Sequence, residues 1–309
     1  MLTERIRKFL NRSLINRLVS FNSLTILLVF ITAFSFIAYI NYNLSIKKEK
    51  QTMNAYLINS VNSLDNKLKD MARVSLVTYS NDRTQDIIKS WHYSSESKRV
   101  SANEYLKELF LNMITIRDDI QGIYIFDRNS LIFKYDDLAS SVSRDFNLQD
   151  MQVFSEYGSS DYNISGCKII VSDTPEFIMR RVEKNPFKNY YISMVRDIKS
   201  FSPNICIGHI WLLSSVSVLK ETLEDFLDPE SFYILTDKYG NIACEPSGRY
   251  LGKRISEVEP GIMQVLKESD RSAKYEFKKI NNSLNGKRCL VSFIVSDYSG
   301  LTLITAKPL

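Results

Sequence analysis

The chain of 309 residues is 24% charged and 44% hydrophobic, a globular composition that excludes a disordered or low-complexity protein. Its net charge of +5 is concentrated at one end: the first 46 residues carry five Lys/Arg against one Glu, and the remaining 263 hold 35 basic and 34 acidic residues. That bulk has no basic excess to attract a polyanion, so nucleic acid is not an expected partner.

Residues 18–46 contain no charged side chain, and 24–40 are almost wholly apolar. Crossing the ~30 Å hydrocarbon core of a bilayer takes about 20 helical residues, and a helix satisfies its own backbone there. Arg5, Arg7, Lys8, Arg12 and Arg17 precede the run, with only Glu4 opposing them. Retention of positive charge inside predicts a cytoplasmic N-terminus (1–17), a plasma-membrane span (18–43) and an extracytoplasmic remainder. The apolar stretch exceeds the about 7–15 residues of a signal-peptide core. Its exit, Ala38-Tyr39-Ile40-Asn41, lacks a small-residue cleavage pattern. An uncleaved anchor is expected.

Beyond it, Leu57, Val61, Leu64, Leu68 and Met71 recur at spacings of 4, 3, 4 and 3, an a/d seam that predicts a stalk helix over 44–79. Two uses are open to the seam: pairing with a second subunit, or packing on the chain's own sheet. A polar break follows, then a second helical stretch over about 101–117, with Tyr105, Leu106, Leu109, Phe110, Met113 and Ile114 on one side.

The pattern then turns to strands. Residues 120–126, a turn at Asp127-Arg128-Asn129-Ser130 and residues 131–135 read as a hairpin. Residues 137–166 read as an irregular connection. Further strands are expected at 167–171, 177–182, 190–197 and 205–213, separated by Pro175, Pro186 and Pro203, and a helix at 215–226. From 229 the design recurs: a strand at 232–236, a turn at Asp237-Lys238-Tyr239-Gly240 and a return at 241–244. A helix over about 255–267 and strands near 273–279, 288–295 and 301–306 complete it. The order describes an α+β fold. An N-terminal transmembrane helix continues into a long helix that carries two antiparallel-sheet modules, 80–228 and 229–309.

Cys167, Cys206, Cys244 and Cys289 have no metal-ligand spacing. Cys244 and Cys289 could meet if their strands are neighbours, but a chain of this length needs no staple, and buried thiols are expected. His92, at a helix end, and His209, in an apolar strand, are the two histidines, and both suit structural roles. No nucleophile elbow, zinc-protease helix, phosphate loop or calcium loop occurs. No catalytic residue, metal or cofactor is therefore expected.

The organisation resembles the double Cache sensor, a PAS-like extracytoplasmic input domain of bacterial membrane receptors. Particular phrases are similar to the YesM-like sensor histidine kinases: Ile192-Ser193-Met194-Val195-Arg196-Asp197-Ile198, then Ile207-Gly208-His209-Ile210-Trp211-Leu212-Leu213. The closing Asp297-Tyr298-Ser299-Gly300-Leu301 and Ala306-Lys307-Pro308-Leu309 belong to the same likeness. In that family such a close precedes a second membrane helix, a HAMP linker and a kinase module. The resemblance therefore implies a sensor region separated from its output, a membrane-distal ligand site in 80–228, a small-molecule ligand with a sugar or oligosaccharide favoured, and a homodimer. A chemoreceptor, a cyclic-dinucleotide enzyme or an anchored surface binding protein are the alternatives.

Within the first module, Tyr124 and Phe126 share one face of their strand, and Ile192, Met194 and Arg196 share one face of another. Tyr124, Phe126, Asp127, Met194 and Arg196 are the candidate ligand-binding residues. An arginine on an apolar strand must find a partner. A ligand carboxylate or hydroxyl would serve; so would an ion pair with Asp127, Asp173 or Asp197.

Overall fold

The computed structural model describes residues 14–114, 117, 119–127, 130–136, 141–142, 167–173, 178–179, 184–200, 205–227, 231–262, 276–283 and 287–308. The chain divides into two compact units, Met1–Thr52 and Met53–Leu309.

The first unit is helical. Helix α1 (Leu14–Ser80) begins in it, and its large apolar side chains between residues 18 and 44 are exposed, with Phe21 at 70% and Phe34 at 74%. Thr25 and Thr32 donate to the carbonyls of Phe21 and Leu28 at 2.9 and 3.0 Å, which satisfies these hydroxyls within the helix. Among the described residues, α1 is the one helix long and apolar enough to cross a membrane.

In the second unit α1 becomes a core helix. Leu57, Val61, Leu64, Leu68 and Met71 are each no more than 5% exposed. They join one apolar cluster with Ile125, Ile192, Met194, Ile210 and Leu212, and with Tyr233, Leu235 and Leu303. Packing on the chain's own sheets is thus the use made of the seam.

The polar break after α1 holds the helix whose end the sequence places near His92, although its apolar period is weak. Helix α2 (Asp82–Ser90) is capped by Asn81, whose side-chain oxygen accepts from the Thr84 N–H at 2.9 Å. Its buried residues are Thr84, Gln85 and Ile88, so two polar side chains lie where apolar periodicity was sought. A 3-10 turn at Trp91–Tyr93 leads to α3 (Glu96–Ile114).

Seven strands follow: β1 (Gly122–Phe126), β2 (Leu131–Asp136), β3 (Ser141–Val142), β4 (Lys168–Asp173), β5 (Ile178–Met179), β6 (Tyr190–Lys199) and β7 (Cys206–Ser215). Helix α4 (Val216–Glu224) follows β7 directly, capped by Ser215. Then come β8 (Phe232–Thr236), β9 (Ile242–Cys244), a short α5 (Ile255–Val258), β10 (Glu276–Ser283), β11 (Lys287–Val295) and β12 (Thr302–Pro308). The first sheet has the order β2-β1-β7-β6-β4 and the second β10-β11-β12-β8-β9, while β3 and β5 form a separate pair. Numbered within each sheet, both read 2-1-5-4-3. The recurrence seen in two hairpins is a recurrence of whole sheets, all antiparallel, and the fold is α+β as expected.

Both first hairpins turn on an aspartate. Asp127 Oδ1 accepts the Ser130 N–H at 2.6 Å, and Asp237 Oδ1 accepts those of Tyr239 and Asn241 at 2.9 and 2.8 Å. Gly240 closes the second turn at φ 82°, a conformation other residues rarely adopt. Cys244 on β9 and Cys289 on β11 stand apart with β8 and β12 between them, so the pairing considered from the sequence is not made. Most of the 137–166 connection, the ends of the strand expected at 177–182 and residues 263–267 of the helix expected at 255–267 lie outside the described residues, and within the described part that helix is broken at Glu259, where α5 ends.

Candidate functional site

Strand register assigns each side chain of the first sheet to a face. Tyr124 pairs with Lys134 on one side and Trp211 on the other, Trp211 with Val195, and Val195 with Lys168. Residues directly opposed in antiparallel strands point the same way. Lys134, Tyr124, Trp211, Val195 and Lys168 therefore form one row. Adjacent rows contribute Phe126, His209 and Asp197, and Asp136, Leu213, Ser193 and Ile170. Ile192 and Met194, which alternate with these along β6, pack in the cluster containing α1. The rows above occupy the opposite, outer face.

The five residues named from the sequence consequently do not gather in one site. Tyr124 and Phe126 are on the outer face; Met194 and Arg196 are on the inner one. The sequence shows alternation within each strand, but only the pairing of β1, β7 and β6 relates one strand's faces to another's. Met194 is fully buried in the apolar cluster. Asp127, 4% exposed, holds the hairpin turn and lies with Oδ2 2.7 Å from His92 Nε2. Its oxygens are committed within the chain.

Arg196 makes no ion pair with Asp127, which faces His92, or with Asp197, whose Oδ1 lies 3.0 Å from His209 Nδ1. Instead its Nε donates to Ser75 Oγ on α1 at 2.7 Å. The side chain of Asp173 lies outside the described residues.

The outer face combines aromatic bodies with placed polar groups. Tyr124 OH donates to Asp136 Oδ2 at 3.0 Å, and Lys134 Nζ lies 3.0 Å from the same oxygen. Ser193 Oγ is buried without a hydrogen-bond partner. Lys168, at the other end of the row, is 5% exposed. Tyr124, Phe126, Trp211, Val195 and Leu213 are each 1% exposed or less. Apolar and aromatic walls carrying a few fixed polar groups are the usual lining of a small-molecule site. Sequence reasoning missed Lys134, Asp136, Trp211, Ser193 and Lys168. The available signal was Trp211, an indole in mid-strand, and Lys134 inside an otherwise apolar one.

The corresponding face of the second sheet is different. Ile234, Ile242, Ile255, Ile262, Val291, Phe293 and Ile304 pack there as an apolar core, and the edge strand β10 places Glu276 opposite Phe293 and Lys278 opposite Val291.

One donor set could hold a transition metal: ligand atoms of Asp197, Cys206 and His209 lie within 4.8 Å of one another. Sequence spacing did not mark the trio because Asp197 comes from the neighbouring strand, opposite His209.

No protein-family model and no curated protein matches the chain. Solved structures do. The ligand-binding domain of the Pseudomonas fluorescens chemoreceptor CtaA, in complex with L-isoleucine, is 12% identical; the match covers 87% of this chain and 95% of that one, with a TM-score of 0.57. The ligand-binding domain of the Pseudomonas aeruginosa amino acid chemoreceptor PctB, in complex with L-Arg, is 9% identical over 85% and 96% of the two chains, with a TM-score of 0.55. The sensor domain of the V. cholerae histidine kinase DctB is 11% identical over 87% and 99%, with a TM-score of 0.51. The chain shares the fold of sensory ligand-binding domains. At these identities the likeness is one of fold, and ligand and output must be reasoned from the residues.

Proposed function

We propose that the chain is the extracytoplasmic ligand-sensing region of a single-pass-anchored membrane receptor, and that its ligand binds on the outer face of the first sheet. The observation that carries this reading is the contrast between two sheets of one topology. On the central strands the first has Tyr124, Trp211 and Ser193 where the second has Ile234, Ile304 and Val291, while the edge strands of both carry charged residues, Lys134, Asp136 and Lys168 in the first and Glu276 and Lys278 in the second. In this reading 80–228 is the membrane-distal module, 229–309 the proximal one, and the basic N-terminus is cytoplasmic. The receptor is a homodimer.

A carboxylate and two lysines beside aromatic rings suit a small zwitterion or polar metabolite. Two of the three solved structures described above hold amino acids. Amino acids are therefore placed first and sugars second, the reverse of the preference drawn from the YesM resemblance. A two-component histidine kinase is the output we favour, on the phrases around Arg196 and Trp211; a chemoreceptor output is the alternative that the fold supports equally.

Thermal-shift measurement on the detergent-solubilised full chain, with panels of amino acids and sugars, tests the reading. A binder at a hundred times its dissociation constant stabilises by about 2.7 kcal/mol, a rise of roughly 5 °C or more. Absence of any shift with both panels would contradict small-molecule sensing.

A further inference from the structure

On the opposite side of the first sheet, a cavity of about 700 Å³ opens between α1, β6 and the β11–β12 turn. Ile58, Val61, Leu76 and Ile294 give it apolar walls, while Arg196, Lys69, Arg73, Asp65 and Asp297 bring charge to it. The unusual member is Arg196. It is 7% exposed, its Nε is held by Ser75, and its buried Nη2 has no partner. No carboxylate among the described residues forms an ion pair with it.

A guanidinium is charged at every accessible pH, and burying one without a counter-ion is costly. The neighbouring groups do not supply one. Cys167, which shares a hydrogen bond with Arg196, is pushed above its ordinary range by burial, although the charge and hydrogen bond of Arg196 act in the other direction, and it supplies no counter-ion. Asp65 is engaged elsewhere, accepting from Ser296 Oγ at 2.6 Å and Ser299 Oγ at 3.3 Å. Lys69 lies over the Tyr298 ring, 5.3 Å from its centroid, and Arg73 pairs outward with Asp70 at 2.8 Å. The cavity thus sets an arginine with an unpartnered nitrogen beside an apolar wall.

We propose that this cavity is a second ligand site, separate from the outer face, for a small organic carboxylate with an apolar body. The carboxylate would take the unpartnered Nη2 of Arg196, and the body would lie along Ile58, Val61, Leu76 and Ile294. Such a ligand touches α1 and the β11–β12 turn together. It would favour the arrangement in which they stand as they do here, so its binding biases the helix that leads to the membrane.

The test is titration calorimetry on the full chain in detergent at neutral pH, with acetate, isovalerate, benzoate and succinate, and with inorganic phosphate as the other oxyanion. Binding of at least one carboxylate is expected, weakened more than tenfold by Arg196→Met, partly restored by Arg196→Lys and unchanged by Tyr124→Phe. Without ligand, Arg196→Met is expected to melt no lower than the parent, because it removes an uncompensated charge. Three results would overturn the proposal: no carboxylate binds; phosphate binds and no carboxylate does; or binding survives Arg196→Met. A fall of more than about 5 °C in the ligand-free melting point of that variant would show instead that the guanidinium is a structural strut, and would overturn it too. Loss of amino-acid or sugar binding through Tyr124→Phe concerns the outer face alone, so the two sites fail independently.

Discussion

The two sheets share one strand order and differ in what their outer faces carry. In the second, the row across β8, β12, β11 and β10 reads Ile234, Ile304, Phe293 and Glu276, and α5 brings Ile255 into the same apolar cluster. In the first, the row across β2, β1, β7, β6 and β4 reads Lys134, Tyr124, Trp211, Val195 and Lys168. The backbone permutation is indifferent to this change; burial of polar groups is not. Ser193, fully buried with an unpartnered hydroxyl, is an expensive residue for a core, and the equivalent position of the second sheet is Val291. A face that retains such a hydroxyl is suited to a guest that can satisfy it.

The comparison can be broken in several places. Phe293→Ala, in the aliphatic face, should cost about 3–5 kcal/mol in chemical denaturation while the ligand-induced thermal shift survives. Loss of binding at retained stability would put the site in the wrong module. Gly208→Ala comes next. A Cβ there would stand 2.3 Å from the Phe126 carbonyl oxygen, where β7 runs against β1. Overpacking should cost about 1–3 kcal/mol and weaken ligand, because the same strands carry Trp211 and Tyr124. Tyr124→Phe is gentler. It removes the hydrogen bond to Asp136, with about 1 kcal/mol of stability and roughly tenfold of affinity, about 1.4 kcal/mol, expected to go.

The smallest effect concerns pH and the inner side. Burial raises the Asp65 carboxyl above its ordinary 3.8, outweighing the hydrogen bonds from Ser296 and Ser299 that lower it. The folded state then binds more protons than the unfolded one between 3.8 and the raised value, so this residue's share of stability falls as pH rises through that window. Asp65→Asn should remove that part of the pH slope of the melting temperature and leave outer-face binding unchanged. A steeper slope in the variant would contradict the sign.

Much of this was legible before the fold was seen. The apolar run, the 57–71 seam and the two Asp-headed turns are local patterns. Each follows from chain chemistry within a dozen residues, and each recurs in the structure as α1, its buried stripe and the two hairpins. What was illegible is non-local. β6 is buried on both faces from Tyr191 to Arg196, so its sequence carries no polar-apolar alternation to say which side is which. Tyr124 and Arg196 could be grouped in one site only because nothing local forbade it; the pairings through Trp211 and Ile210 put them on opposite faces. The extent of helix α2, expected only from its end near His92, is illegible for a related reason, since Thr84 and Gln85 are buried polar residues and blur the helical period.

Hydrogen–deuterium exchange on the full chain, with and without the best ligand from the amino-acid and sugar panels, addresses the central claim most directly. Slower exchange should appear in β1 and β7, at 122–126 and 206–215, with β8 and β12 unchanged. Protection confined to β8, β11 and β12 would contradict it, because the guest would then sit on the sheet whose outer face is already filled.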